Sequence, residues 1–191
     1  MKLKLCILAA LSLLMISGCG LVSGTAFVSQ EVDEDIYTDT RPSGIRGGNG
    51  HLDVTRMDSI IVDLTDNGDW DKFTIEGVED GCINMIATNH LDQDVSGEIW
   101  IVPDISFNGG NNPDAVKNAP GAFRVFHGLA LSPLETRHFL CFETIALLEN
   151  TDRLVEVVRS GQFQAWGLGD QNIYCFSLTG IVFGFHVTGS V

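Results

Sequence analysis

Basic residues are scarce in this chain: 11 Lys and Arg stand against 25 Asp and Glu, for a formal net charge of -14. Lysine occurs only at Lys2, Lys4, Lys72 and Lys117. So acidic a surface repels nucleic acid and anionic lipid headgroups, which argues against both as electrostatic partners. No apolar run reaches the roughly 20 residues needed to cross a bilayer. The late stretch 173–187 is interrupted by Ser177, Thr179, Gly180, Gly184 and His186 and reads as strand. The five cysteines include no CxxC pair, and His51, His90, His127, His138 and His186 form neither HxH nor HExxH, so no zinc site is read. GxSxG, the Walker loop and GxGxxG are absent too. Carboxylate pairs that converge from distant positions leave no sequence trace, and nothing favours one here. No catalytic residue, cofactor or metal is assigned, and the chain is not read as an enzyme.

What the sequence does have begins at residues 1–18. Lys2 and Lys4 precede an apolar run over 5–16, followed by small residues and a cysteine. This is the layout of a signal segment, too short to span. Ile16-Ser17-Gly18-Cys19 resembles the bacterial lipobox, with Ile16 where that motif more often has Leu. The resemblance implies cleavage before Cys19, lipidation of its thiol, and a cell-envelope lipoprotein held to its membrane without spanning it. Each buried methylene contributes about 0.8 kcal/mol, so two or three acyl chains make desorption negligible. The bland alternative is an ordinary secretory signal in which Cys19 is incidental. Losing 1–18 removes Lys2 and Lys4 and no acidic residue, leaving nine basic residues against 25 acidic and a net charge of -16.

Residues 19–51 read as a lipidated N-terminus and flexible acidic tether. Glu31, Asp33, Glu34, Asp35 and Asp39 cluster there, and 41–50 are rich in turn formers. A flexible chain of about 30 residues reaches roughly 30 Å. Leu21, Val22, Phe27 and Val28 sit awkwardly in a tether; they either rest on the membrane or dock on the domain. Residues 52–191 have the size of one domain with its own core. Of the remaining cysteines, Cys82, Cys141 and Cys175 lie among apolar, β-forming neighbours and read as small buried packing residues. An exported compartment permits one disulfide among them, with the pair left open.

Period-two alternation predicts strands at Ile60, Val62 and Leu64, at Ile83, Met85 and Ala87, and at Ile99 and Ile101. Residues 89–95 supply turn chemistry for a hairpin between the last two. The same alternation recurs from Phe123 to Leu131, then a Ser132-Pro133 turn and a strand over 137–142, which read as neighbours. A helical spacing spans 144–160, as one helix or two, with Ser160-Gly161 as its stop. Strand 162–166, a turn over 167–172, and 173–187 as one long strand or two with a bulge at Gly180 complete the chain. The pattern predicts a mainly β fold: an antiparallel Ig-like β-sandwich of about seven or eight strands with one short helical connection. The segments 62–72, 83–97 and 131–137 resemble pieces of Ig-like sandwich lipoproteins of unknown function. The middle one is also similar to water-stress, LEA-type domains. This likeness implies fold far more than function.

Two features invite a binding reading. Asp63, Asp66, Asn67, Gly68, Asp69 and Asp71 bring hard oxygen donors to one turn, as calcium requires, but without EF-hand spacing. Against it, Asp66 or Asn67 serves as a simple cap that sets Trp70 and Phe73 on the core. Trp100 alternates out of the Ile99 and Ile101 face, which makes it the tryptophan, among Trp70, Trp100 and Trp166, expected to be exposed for stacking on a glycan. The 104–120 loop is long enough to be functional. His127 and His138 would meet if their strands paired. The preferred expectation is a lipid-anchored envelope protein with a structural or interaction role and an envelope protein or glycan partner; the alternative is a glycan- or calcium-binding module.

Overall fold

The computed structural model describes residues 23–41, 56–66 and 74–190. The described strands are β1 (Ser23–Val32), β2 (Ile36–Asp39), β3 (Arg56–Met57), β4 (Ser59–Asp63), β5 (Thr74–Asn89), β6 (Val95–Val102), β7 (Phe123–Leu131), β8 (Thr136–Phe139), β9 (Gln162–Gly169) and β10 (Cys175–Ser190). Three helices, α1 (Pro113–Lys117), α2 (Cys141–Thr144) and α3 (Thr151–Ser160), lie in the connections. One sheet runs β3-β2-β10-β5-β8 with β1 also on β10, and the other runs β4-β9-β6-β7. All pairings are antiparallel, and the two sheets pack as a β-sandwich.

β10 organises the larger sheet. Phe176 and Leu178 point into the core, and so do Ile181, Phe183, Phe185 and Val187, so the period-two phase slips by one residue between the sets. Gly180 absorbs the slip with a φ of 57°, a conformation that strains any side chain. The register with β5 shifts at the same point, between Thr179 and Val182. Of the one-strand and two-strand readings, the structure shows one continuous strand with its irregularity at Gly180.

The tether reading is corrected over its middle. β1 pairs with β10 from Ser23↔Ser190 to Val32↔Ile181, and β2 continues along β10 from Ile36↔Leu178 to Cys175↔Asp39. Val28, Val32 and Ile36 are core residues, while Thr25, Ser29 and Glu31 face outward. The acidic residues obscured this alternation. Only Asp33, Glu34 and Asp35 occupy an exposed bend, whereas Asp39 is buried against Arg41, which bonds both of its oxygens at 3.0 and 2.8 Å. Val28 docks in the core, while Phe27, 53% exposed, lies against His186 on the outer face with ring centroids 4.9 Å apart; Leu21 and Val22 lie outside the described residues.

β5 and β6 form no hairpin, since β5 lies in the larger sheet and β6 in the smaller, and β7 and β8 are not neighbours either. β7 pairs with β6 in one sheet and β8 with β5 in the other, so the turn between them crosses the sandwich. Alternation reports which face is buried and is silent on which sheet a strand joins. The helical segment is broken: α2 and a 3-10 turn at Ile145–Leu147 precede a bridge from Leu148 to Phe126, and α3 follows, ending at Gly161 with φ 85°. Residues 167–169 extend β9 where a turn was expected. There Gly167 and Gly169 let Phe176 and Tyr174 come close; a Cβ on Gly169 would meet the Tyr174 ring at 2.3 Å.

Ile60, Val62, Ile83, Met85, Ile99 and Phe163 are buried between the sheets, as their alternation predicts. Each such side chain contributes about 1.5–3 kcal/mol of burial. A second apolar layer lies on the outer face of the four-stranded sheet, where Val116 and Ala119 cover Val102, Trp166 and Leu168. Gln164 ties this cover down, donating to the carbonyls of Ile105 at 2.7 Å and Phe107 at 3.0 Å while accepting from Trp166 Nε1 at 2.9 Å.

Cys82 and Cys141 form a disulfide with a Cα separation of 4.9 Å; Cys175 is free and buried. Cys82 and Cys175 are buried as read, and the one disulfide whose pair was open joins Cys82 to Cys141. Beyond Phe139 the chain leaves β5 and turns into α2, which sets Cys141 beside Cys82. The hydroxyl of Thr144 stands in for the missing strand: it donates to the Ile83 carbonyl at 2.9 Å and accepts from the Ile83 N–H at 3.0 Å.

Candidate functional site

Three turns meet at one end of the sandwich: 90–94 after β5, 132–135 before β8, and 170–174 before β10. Asn89, only 1% exposed, joins the first two. Its Nδ2 donates to the carbonyls of Gln93 at 2.7 Å and Ser132 at 2.8 Å, its Oδ1 accepts from Leu91 N–H at 2.9 Å, and its own N–H donates to Glu135 O at 2.8 Å. The third turn is bonded in through His90 N–H to Cys175 O at 2.9 Å and Asp170 N–H to Ser96 O at 3.1 Å. The result is a single, hydrogen-bonded platform.

Leu134 stands out from it. Residues 132–135 form a β-turn closed by Glu135 N–H to Ser132 O at 3.2 Å, with Pro133 in second place and Leu134 in third. Leu134 has a φ of 56°, the left-handed value that this place normally reserves for Gly or Asn. For a bulky residue that conformation costs about 1 kcal/mol. No burial offsets the cost, since Leu134 is 68% exposed. Its N–H donates to Leu91 O at 2.8 Å, which fixes its direction. Comparison with protein-family models, with curated proteins and with solved structures finds no match. The sequence reading marked 89–95 and Ser132-Pro133 as turns but not their convergence. A leucine after proline in a tight turn was the available signal.

The residues singled out from sequence are dispersed. Cys19 and the turn residues 67–71 lie outside the described residues. Asp63 is engaged: its Oδ1 accepts from the Thr65 N–H at 2.9 Å and hydroxyl at 2.5 Å, and its Oδ2 from Gln162 at 2.5 Å. His127 sits on β7 and His138 on β8, in different sheets, so they do not meet. His186 is hydrogen-bonded to Asp80, and His90 lies 3.0 Å from the Ser177 hydroxyl. Burial, and then the Arg41 charge, hold His90 below the ordinary histidine pKa. Among the described residues no group of three or more His, Cys, Asp or Glu side chains converges as metal ligands would.

Trp100 is not the exposed tryptophan that its alternation predicts. It is half-buried under the 103–122 cover, with the Lys117 ammonium 5.7 Å from its ring. Its neighbour Glu98, 2% exposed, is the centre of a charged seam: Lys117 reaches one oxygen at 2.5 Å and Arg124 the other at 3.2 Å, while Arg124 also pairs with Glu149 at 2.9 Å. The 104–120 loop is therefore a packed cover, joined to the sheet by Val116 and by this seam. Elsewhere, Tyr37 OH lies 3.4 Å from Cys175 Sγ. Burial, and then the Cys175 contact, push the Tyr37 phenol up to about 12, and burial also raises the Cys175 thiol. A protonated, covered thiol is a poor nucleophile. Between the sheets an apolar void of about 10 Å³, room for a single water at most, is lined by Ala87, Val95, Leu131 and Leu178 among others.

Proposed function

We propose that this is a lipid-anchored cell-envelope protein, held through Cys19, whose β-sandwich acts in structure or interaction and not in catalysis. The observation that carries the exported location is the Cys82–Cys141 disulfide, because such bonds persist in oxidising compartments and are rare in the cytosol. The apolar run and the Ile16-Ser17-Gly18-Cys19 motif support the anchor. The sheet also changes what that anchor would mean. Since β1 starts at Ser23, a fully extended chain from Cys19 reaches only about 14 Å. The domain would sit against its membrane instead of floating above it, with the Ser23, Thr74 and Ser190 end of the sheet lowermost. The three-turn platform lies at the opposite end.

Replacing Cys19 with Ala tests the anchor directly. The variant should move from the membrane fraction to the soluble envelope fraction with its fold intact; retention in the membrane fraction refutes the proposal.

A further inference from the structure

We infer that the three-turn platform is a docking surface for another protein, one that presents an apolar pocket bordered by Lys and Arg side chains, and that Leu134 is the side chain that enters it. The inference rests on the interaction role proposed above and names its surface.

The first argument is the coincidence of strain and exposure at Leu134. A left-handed third position in a tight turn is satisfied without strain by Gly or Asn, whereas leucine gains its place only if its side chain does something. Inside this protein it does nothing apolar, being 68% exposed with a backbone of φ 56°. Ile173, also exposed, stands on the adjoining turn, where its carbonyl is approached by Gln93 Nε2 at 3.5 Å.

The second argument is rigidity. Asn89, itself buried, fixes the turns that carry Leu134 through its side-chain hydrogen bonds. A side chain presented from a pre-ordered backbone loses less freedom on binding, which is how anchor residues gain affinity.

The third is charge. Asp92, Asp94, Glu135 and Asp170 belong to these turns, and residues 90–94, 132–135 and 170–174 contain no Lys or Arg; the cation beside them, Arg41, is paired with Asp39 at 2.8 Å. An apolar point with a carboxylate rim complements a pocket with a cationic rim. The same rim disfavours the other occupants. A second copy would set these carboxylates against their own duplicates, and a membrane surface would oppose them with anionic headgroups while the chain from Cys19 emerges at the far end.

The experiment uses the full chain in intact cells, with a photoreactive phenylalanine analogue placed singly at positions 134, 173 and, as an exposed control, 61. Discrete adducts to one other protein at 134 and 173, with none at 61, are expected. With that protein purified, Leu134→Asn and Asp92→Lys/Asp94→Lys should each weaken binding at least ten-fold, while the melting temperature of Leu134→Asn stays level or rises. Absent adducts, equal adducts at 61, adducts only to a second copy or to lipid, or binding of both variants within two-fold of the unaltered protein would each overturn the inference. The charge variant keeps the test decisive should Leu134→Asn fold poorly. Release of Cys19→Ala from the membrane with no adduct at 134 would remove the docking surface and leave the anchor; retention of that variant with an adduct at 134 would do the reverse.

Discussion

Behind the four-stranded sheet, residues 103–122 lay an apolar layer over Trp166 and Leu168, whereas the outer face of the six-stranded sheet carries polar pairs across its strands. There the hydroxyls of Thr88 and Thr136 are 3.0 Å apart and His186 bonds to Asp80. The margins differ in the same way. The covered sheet is joined to its cover by non-covalent contacts, with the Glu98 carboxylate buried between two cations. The open sheet ends at β8 after four residues, and a covalent bond with a capping hydroxyl takes over where strand pairing stops. One sandwich therefore uses burial where it has a third layer and cross-linking where it does not.

The contrast breaks first at the disulfide. Joining residues 59 apart in sequence restricts the unfolded chain by about 4 kcal/mol. Urea unfolding of Cys82→Ala/Cys141→Ala should show that loss, and reductant should bring the unaltered protein down to the same midpoint. A loss below about 1 kcal/mol would mean that Thr144 and the packing of α2 suffice to close the edge.

On the covered side, Glu98→Ala leaves Lys117 and Arg124 without their buried partner. Because both cations are about one-third exposed and can turn to solvent, the cost should fall to about 2–3 kcal/mol, less than for a fully enclosed pair. The same urea series measures it. A cost above that of the disulfide would reverse the ranking of the two margins.

The smallest effect belongs to Glu143, whose carboxylate accepts from the Leu140 N–H at 3.0 Å and from Arg137 at 2.8 Å beside the disulfide. These bonds, in that order, hold its pKa below the ordinary glutamate value of 4.5. A depressed carboxyl stabilises the fold fully above its unfolded value and loses that contribution as pH falls through the folded one. The small melting-temperature gap between the unaltered protein and Glu143→Gln should be widest near neutral pH and should close in acid. A gap that widens in acid would contradict the assignment.

Much of the sandwich was legible because inward positions repeat at period two: Ile60 and Val62, Ile83 and Met85, Ile99 and Ile101 all lie where their alternation puts them. The N-terminal strands were hidden by composition. Their acidic residues suggested a solvated linker, yet Glu31 merely faces outward, and Asp39 is compensated by an arginine two residues on. Long-range partnership was hidden for a different reason. Nothing local distinguishes the sheet of β7 from that of β8, or marks Cys141 in place of Cys175 as the mate of Cys82. At the platform, each turn was readable and their meeting was not, since Asn89 connects segments that are distant in sequence.

The ladder between β1 and β10 has a consequence for how the chain reaches this state. The first described strand has no partner until the last one is made, and the β5 edge beside β10 waits as well. Contacts so distant in sequence delay folding, because the loop must close before any pairing rewards it. The larger sheet therefore cannot be completed until β10 is available, and β1 and that β5 edge stay unpaired in it until then. The late arrival of β10 thus sets an order of assembly, since the pairings of β4, β9, β6 and β7 in the smaller sheet need only strands made before it.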